Sequence, residues 1–321
     1  MKFGQIALVL GAVAVTALVA WFGVRAVGAE VLRAWPVLPL VLALHGVQLW
    51  LSAIAWRLVS DAGDVPDGRR WLLIRWLREA VNSMLPVAQL GGNLAGIRML
   101  MHEGLPGAKA AAGTTIDLTM EAATQFIFTV AGIAVLAAIS TDRSWWPWVA
   151  GGLAAMGVGL AAFITAQRFG LMRIVEALAG RLARVFPGLS IDAVRDLHGE
   201  LMRLQRDRGA LGRSLGLHVA AWLLGVGETW LALTAMGRVP SVAEAMVIES
   251  LGMAARSAGF VVPGALGVQE AGFIMVGGLF AIPPETAIAL SMVKRVRELA
   301  VGLPGLLVWQ WIEGRRLVGQ G

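Results

Sequence analysis

The chain has 321 residues, of which 57% are hydrophobic and 15% charged, and a mean hydropathy of +0.72. Soluble domains carry about 25% charged residues, and no segment here is polar for long enough to be one, so a soluble enzyme or nucleic-acid-binding domain is excluded. The formal net charge of +6 reads instead as basic loops beside anionic lipid head groups.

Cysteine is absent, which excludes disulfides and cysteine metal sites. The four histidines, His45, His102, His198 and His218, show no ligand spacing. No cofactor, metal or nucleic-acid partner is expected. The expected fold class is all-α: a polytopic transmembrane helix bundle forming one membrane domain over 1–321.

In chain order, residues 3–24 are uncharged between Lys2 and Arg25. That run is longer than the 7–15-residue core of a signal peptide and predicts a retained first helix. Residues 34–56 predict a second helix, with a loop at 25–33. Residues 57–79 are polar and carry Arg57, Arg69, Arg70, Arg75 and Arg78, with Trp71 and Trp76 among them. They predict an amphipathic helix lying partly along the interface. Residues 80–97 are uncharged but broken by Pro86 and Gly91-Gly92. Long apolar helices follow at 111–141 and 144–166, the second opened by an aromatic cluster at Trp145, Trp146 and Trp148.

The segment 167–213 is amphipathic, carries nine arginines and is divided by Pro187-Gly188. Residues 214–236 cross again, with Glu228 inside. The rest, 240–321, holds a second broken stretch and apolar runs at 271–293 and 299–312. A single C-terminal crossing near 285–314 keeps Arg315 and Arg316 on the cytoplasmic side and puts KRVRE (294–298) within the membrane. Lys/Arg asymmetry of the loops places 57–79, 167–213 and the N-terminus in the cytoplasm. On that count the two broken stretches enter from opposite faces, the pattern of an inverted-repeat transporter with halves of about 1–166 and 214–321.

Three stretches violate what lipid permits. LPVAQLGGNLAGIR (85–98) and RSAGFVVPGALGVQE (256–270) put proline and glycine inside apolar sequence, and KRVRE puts four charges there. Irregular backbone and ionisable side chains persist at membrane depth only where protein or a water-filled cavity covers them. A helix that ends on Gly91, Gly92, Gly264 or Gly267 and restarts leaves N–H groups aimed at a cavity, suited to a phosphate. Two proline kinks with packing glycines are the bland alternative.

Each charge of KRVRE would cost roughly 2.5–3.5 kcal/mol at bilayer centre, on the order of 10 kcal/mol in all. Facing lipid is therefore untenable. Glu298 can reach Lys294 and Arg295 on a helix, which leaves a surplus cation, with Arg297 on another side. A cytoplasmic loop is the other reading. Asp117 and Glu121 share a polar helix face with Thr114, Thr124 and Gln125. They can bind a cation, a proton or a head group, or form an ion pair with Arg98 or Arg256. Glu249 and Arg256 share a face seven residues apart and allow the same readings. Glu228 is a lone buried carboxylate, while His45 and His218 read as packed helix residues.

VPGALGVQE (262–270), followed after about 25 residues by KRVRE, resembles the flippase-like membrane family that includes the transmembrane part of bacterial lysylphosphatidylglycerol synthases. LPVAQLGGNLAGIR resembles that family's first glycine motif. The resemblance spans nearly the whole chain. It implies a lipid translocator and points to Gly91, Gly92 and Arg98, then to Pro263, Gly264, Gly267 and Glu270, and to Arg295 or Arg297. Two residues depart from the pattern: Ala265 stands where a glycine is frequent, and Asn93 where an acidic residue is common. The sequence stops at Gly321 without the synthases' soluble transferase domain, as a stand-alone member would, and the hopanoid-associated subgroup is similar in size and hydropathy.

The candidate substrate site is therefore Gly91, Gly92, Asn93, Arg98, Asp117, Glu121, Glu249, Arg256, Pro263, Gly264, Gly267, Glu270, Lys294, Arg295, Arg297 and Glu298. No catalytic motif is present. The expected function is lipid transport across the bacterial inner membrane. The expected partners are membrane lipids (an anionic or modified phospholipid, or a hopanoid), and a homodimer is left open. A head-group-modifying enzyme and a non-catalytic scaffold are the alternatives.

Overall fold

The computed structural model describes residues 13, 15–60, 67–85, 90–140, 144, 146–167, 191–259 and 262–318, and among them every regular element is helical. In chain order these are α1 (Val24–Ala34), α2 (Leu38–Val59), α3 (Gly68–Met84), α4 (Leu90–His102), α5 (Gly107–Ile139), α6 (Trp146–Thr165), α7 (Ile191–Leu204), α8 (Arg208–Ala235), α9 (Val242–Ala258), α10 (Val268–Gly278) and α11 (Pro284–Val318). Short 3-10 turns lie at Trp35–Val37 and Pro263–Ala265. The spans Val24–Val59, Gly107–Ile139 and Arg208–Ala235, of 36, 33 and 28 residues, are long and apolar enough to cross a membrane, which needs about 20 residues.

Local chemistry sets several boundaries. Ser241 and Glu244 form a reciprocal capping box at the start of α9. The Asp207 carboxylate accepts the Ala210 N–H at 2.9 Å and opens α8. Cα placement in the second break uses the left-handed region at Gly264 (φ +63°) and Gly267 (φ +83°), which glycine adopts freely. Ala265 sits there too, at φ +48°, where a Cβ is strained.

The helices α2 and α8 pack along each other at the centre. Around them the contacts are reciprocal. The long helix α5 packs on α9, and the long helix α11 packs on α3; α7 lies against α5, and α1 lies against α11. Both long-helix contacts rely on glycine. A Cβ on Gly132 of α5 would overlap Ser250 of α9, and one on Gly305 of α11 would lie 2.6 Å from the Ala80 Cβ of α3. Small residues let helices approach where lipid gives no hydrophobic drive.

Three expectations need revision. Residues 25–33, expected as a loop, are helical, because their apolar face (Val27, Val31) packs towards α11 and α8 with Arg33 paired to Glu30 at 2.8 Å. In the 57–79 segment Arg57 and residues 67–70 are exposed, but the stretch from Trp71 on does not lie along a surface. Residues 61–66 are outside the described part, and α3 is packed inside the bundle with Trp71, Ile74, Leu77 and Arg78 buried. Arg75 and Arg78 are therefore bundle charges, leaving Arg57 near the end of α2 and Arg69 and Arg70 in the first turn of α3 as exposed charges. Within 167–213, residues 168–190 with Pro187-Gly188 lie outside the described residues, and Arg208 and Arg213 belong to α8. The C-terminal stretch, as expected, is one helix, of 35 residues, with KRVRE inside it.

Candidate functional site

At the first break α3 stops at Met84 and α4 begins at Leu90; residues 86–89, with Pro86, lie outside the described residues. Gly91, Gly92 and Asn93 form the first turn of α4. The Gly92 N–H donates to Asn82 Oδ1 at 2.8 Å, and a side chain at Gly92 would strike Asn82 and the Arg78 carbonyl. Asn93 Oδ1 accepts from Arg78 Nε at 2.7 Å. The glycines hold α4 close to α3. Arg98 lies apart from this cluster: it is exposed and meets Glu313 at 3.2 Å.

The charges of this half come from two facing helices. Arg75 and Arg78 are three apart on α3, and Asp117 and Glu121 are four apart on α5, so each pair shares one face. Arg78 meets Asp117 at 2.5 Å and Glu121 at 3.3 Å; Arg75 meets Glu121 at 2.7 Å and Asp117 at 3.9 Å. The Arg78 guanidinium also lies 4.7 Å from the Trp56 ring centroid. His218 Nε2 is 3.2 Å from the other Asp117 oxygen. Asp117, Glu121 and His218 each offer a ligand atom within 4.8 Å of one another, spacing that could hold a metal ion. Guanidinium groups already bind both carboxylates, however, and would repel a divalent cation.

The second break runs from the end of α9 to α10. Its turn, Pro263–Ala265, packs against α3. Glu270 is fully buried at the start of α10. It accepts the Gly267 N–H at 2.8 Å, the Ser291 hydroxyl at 2.7 Å, and Arg295 Nε and Nη2 at 2.7 and 3.1 Å. Arg295 reaches on to the Gly264 carbonyl at 3.1 Å. One arginine thus ties the loop, the carboxylate and α11 together.

The other KRVRE charges fan out from α11 to different helices. Lys294 pairs with Glu249 of α9 at 2.8 Å, and the Thr229 hydroxyl donates to that carboxylate at 2.5 Å. Arg297 binds Glu228 of α8, and Glu298 pairs with Arg256 of α9 at 2.6 Å. Arg256 also donates to Gln269, whose amide donates to Ser291 at 2.7 Å.

These pairings differ from those expected. Glu298 does not neutralise Lys294 or Arg295 along the helix, because both extend to carboxylates on neighbouring helices. No surplus cation is left: all four charges have partners. Asp117 pairs with α3, not with Arg98 or Arg256. Glu228 is not alone.

A continuous polar chain joins the halves. From Arg75 it passes to Glu79 at 3.9 Å, His45 at 2.9 Å, Gln48 at 3.1 Å and Glu228 at 2.9 Å, and then to Arg297, Glu298 and Arg256. Sequence reasoning missed Arg75, Arg78, Glu79 and Gln48 as site residues, counting the two arginines as loop charge. The signal was present: Arg75, Arg78 and Glu79 fall on one α3 face whose spacing matches Asp117 and Glu121.

The sequence profile of the lysylphosphatidylglycerol synthase TM region matches residues 5–305. No curated protein and no solved structure matches the chain. A match of that extent, over a bundle with its charges turned inward, means that the chain belongs to the family of the lysylphosphatidylglycerol synthase TM region.

Proposed function

We propose that the protein is a lipid translocator of the bacterial inner membrane, moving a phospholipid or related amphiphile between leaflets. The observation that supports this most is Arg295, a partly buried cation held at a helix break by Glu270 and the Gly264 carbonyl. An anionic head group would take over the guanidinium bonds that Glu270 now makes, with the acyl chains left in lipid. Gly264 and Gly267 allow close approach of the backbone, and Asp117, Glu121 and the remaining KRVRE charges hold the surrounding helices. The reciprocal packing of α5 on α9 and α11 on α3 supports an inverted repeat, each half contributing a re-entrant break. The exposed arginines Arg57, Arg69 and Arg70 and the basic segment 167–213 face the cytoplasm, as does the N-terminus.

The test is reconstitution in liposomes with a leaflet-specific assay over anionic, zwitterionic and aminoacylated phospholipids. Wild-type protein moves at least one of them. Charge-assisted bonds are worth about 1.5–3 kcal/mol, so Arg295→Ala slows movement about tenfold or more per folded molecule, with Arg295→Ala/Glu270→Gln as the variant that leaves no buried charge unpaired. If folded wild-type protein moves none, the reading fails. Product formation without leaflet change would favour a head-group enzyme.

A further inference from the structure

His45 is buried on α2 with a partner at each ring nitrogen. Nε2 lies 2.9 Å from Glu79 Oε1, and Nδ1 lies 3.1 Å from Gln48 Oε1. The orientation of Gln48 follows from its far side. Its Nε2 is 2.9 Å from Glu228 Oε1, and a carboxylate only accepts, so the amide nitrogen must face Glu228 and the amide oxygen must face His45. Both partners of His45 are then acceptors. A neutral imidazole has one N–H and can satisfy one of them. With Glu79 ionised, both bonds form only when both ring nitrogens carry a proton.

The charges lead to the same place. Among the described residues the connected chain holds five arginines, Arg75, Arg78, Arg256, Arg295 and Arg297. It holds six carboxylates, Glu79, Asp117, Glu121, Glu228, Glu270 and Glu298. Lys294 and Glu249 form a matched pair beside it. One carboxylate lacks a cation, and an uncompensated buried charge costs several kcal/mol. One proton on His45 supplies the cation. His218 does not need that role, because the Asp117 it faces already has two arginines and asks the ring for a single N–H.

We propose that His45 is a proton-binding site, an imidazolium in this arrangement, and that its proton is the ion coupled to the protein's conformational cycle. The second clause rests on the translocator reading; the first does not. The charged groups linked to it through contacts are Glu79 and Arg75 on α3, Glu228 on α8 and Arg297 on α11, and beyond Arg75 the cluster of Asp117 and Glu121 on α5, Arg78 on α3 and His218 on α8. Glu79 gives the proton a route, since 30% of its side chain is exposed against 8% for His45. Transfer breaks the Nε2–H bond and forms an O–H bond on Glu79, leaving a neutral ring and a neutral acid. The Glu79 contact with Arg75 then loses its charge, while the Nδ1–H bond to Gln48 survives.

The test is nitrogen NMR of the full chain in lipid nanodiscs with ¹⁵N-labelled histidine at pH 7. His45→Gln assigns the signal. If that variant does not fold, removing His102, His198 and His218 one at a time assigns it by elimination. Two protonated ring nitrogens are expected for His45, and a neutral ring in Glu79→Gln, where arginines and carboxylates are equal in number. A neutral ring in the wild type, or an imidazolium persisting in Glu79→Gln, overturns the proton site. In liposomes an imposed pH gradient should change the wild-type lipid rate severalfold and leave His45→Gln unaffected; no gradient effect on the wild type overturns the coupling. An imidazolium in a protein that moves no lipid supports the site and defeats the translocator reading. A neutral ring in a protein that moves lipid does the reverse.

Discussion

The two breaks are flanked by charge of opposite arrangement. Before the first break the cations sit on α3 (Arg75, Arg78), and the carboxylates sit on the long helix that follows, α5 (Asp117, Glu121). At the second break the long helix α11 carries the cations (Lys294, Arg295, Arg297), answered by Glu249 on α9 and Glu270 on α10. Each half satisfies its strongest charges internally. Between the halves the buried charges are linked more weakly, by His218 to Asp117 and by Gln48 to Glu228. Ion pairs tie charges together within each half, and the halves are held to each other mainly by close helix packing of α2 on α8, α5 on α9 and α11 on α3, the last two through glycine.

The comparison breaks most severely where a buried charge loses its partner. Arg78 is 1% exposed and serves Asp117, Glu121 and Asn93 together. Arg78→Ala leaves Asp117 and Glu121 to Arg75 alone and frees the buried Asn93 oxygen, and a loss of about 3–5 kcal/mol is expected, read from thermal unfolding in detergent. The second half offers the contrasting case. Replacing both members of a buried pair with apolar groups is often neutral or stabilising. Glu249→Leu with Lys294→Met is expected to hold stability within about 1 kcal/mol, while Lys294→Met alone falls by about 3 kcal/mol or more. If the double variant is as unstable as the single one, Glu249 is not satisfied by Lys294 as the 2.8 Å distance implies. Gly305→Leu, which overfills the α11–α3 contact, should cost about 1–3 kcal/mol.

Much of this was legible in the sequence, and the failures have one cause. The breaks and the single helix through KRVRE followed from proline, glycine and the cost of charge in lipid. Partners did not follow, because hydropathy assigns a charge to a depth and not to a neighbour. Arg75 and Arg78 stand among other arginines and two tryptophans, so the stretch read as interface; only α5 packing opposite, with Asp117 and Glu121 in register, shows that they turn inward. The in-helix pairing expected for Glu298 failed for a related reason. An i, i+4 partner is worth a few tenths of a kcal/mol, less than a buried carboxylate on the next helix offers.

Ala265 tests whether the second break is strained in a way the first is not. It holds φ +48° between two glycines, and a residue with a Cβ there costs about 1–2 kcal/mol. Ala265→Gly is expected to stabilise the protein by about 1 kcal/mol, less the added chain entropy of glycine. An unchanged or lowered melting temperature would mean that the break is relaxed.

The smallest effect is expected at Arg98, which belongs to the first motif by sequence and to neither charge cluster by position. Its side chain is 61% exposed and meets only Glu313 among the ion pairs described, at 3.2 Å. Exposed pairs contribute about 0–1 kcal/mol and weaken in salt. Arg98→Ala should therefore leave the melting temperature nearly unchanged and lipid movement close to wild type, where Arg295→Ala slows it. If Arg98→Ala retains its stability and stops lipid movement, the site extends from the buried charges to the outer face of α4, and Arg98 acts where lipid is first captured.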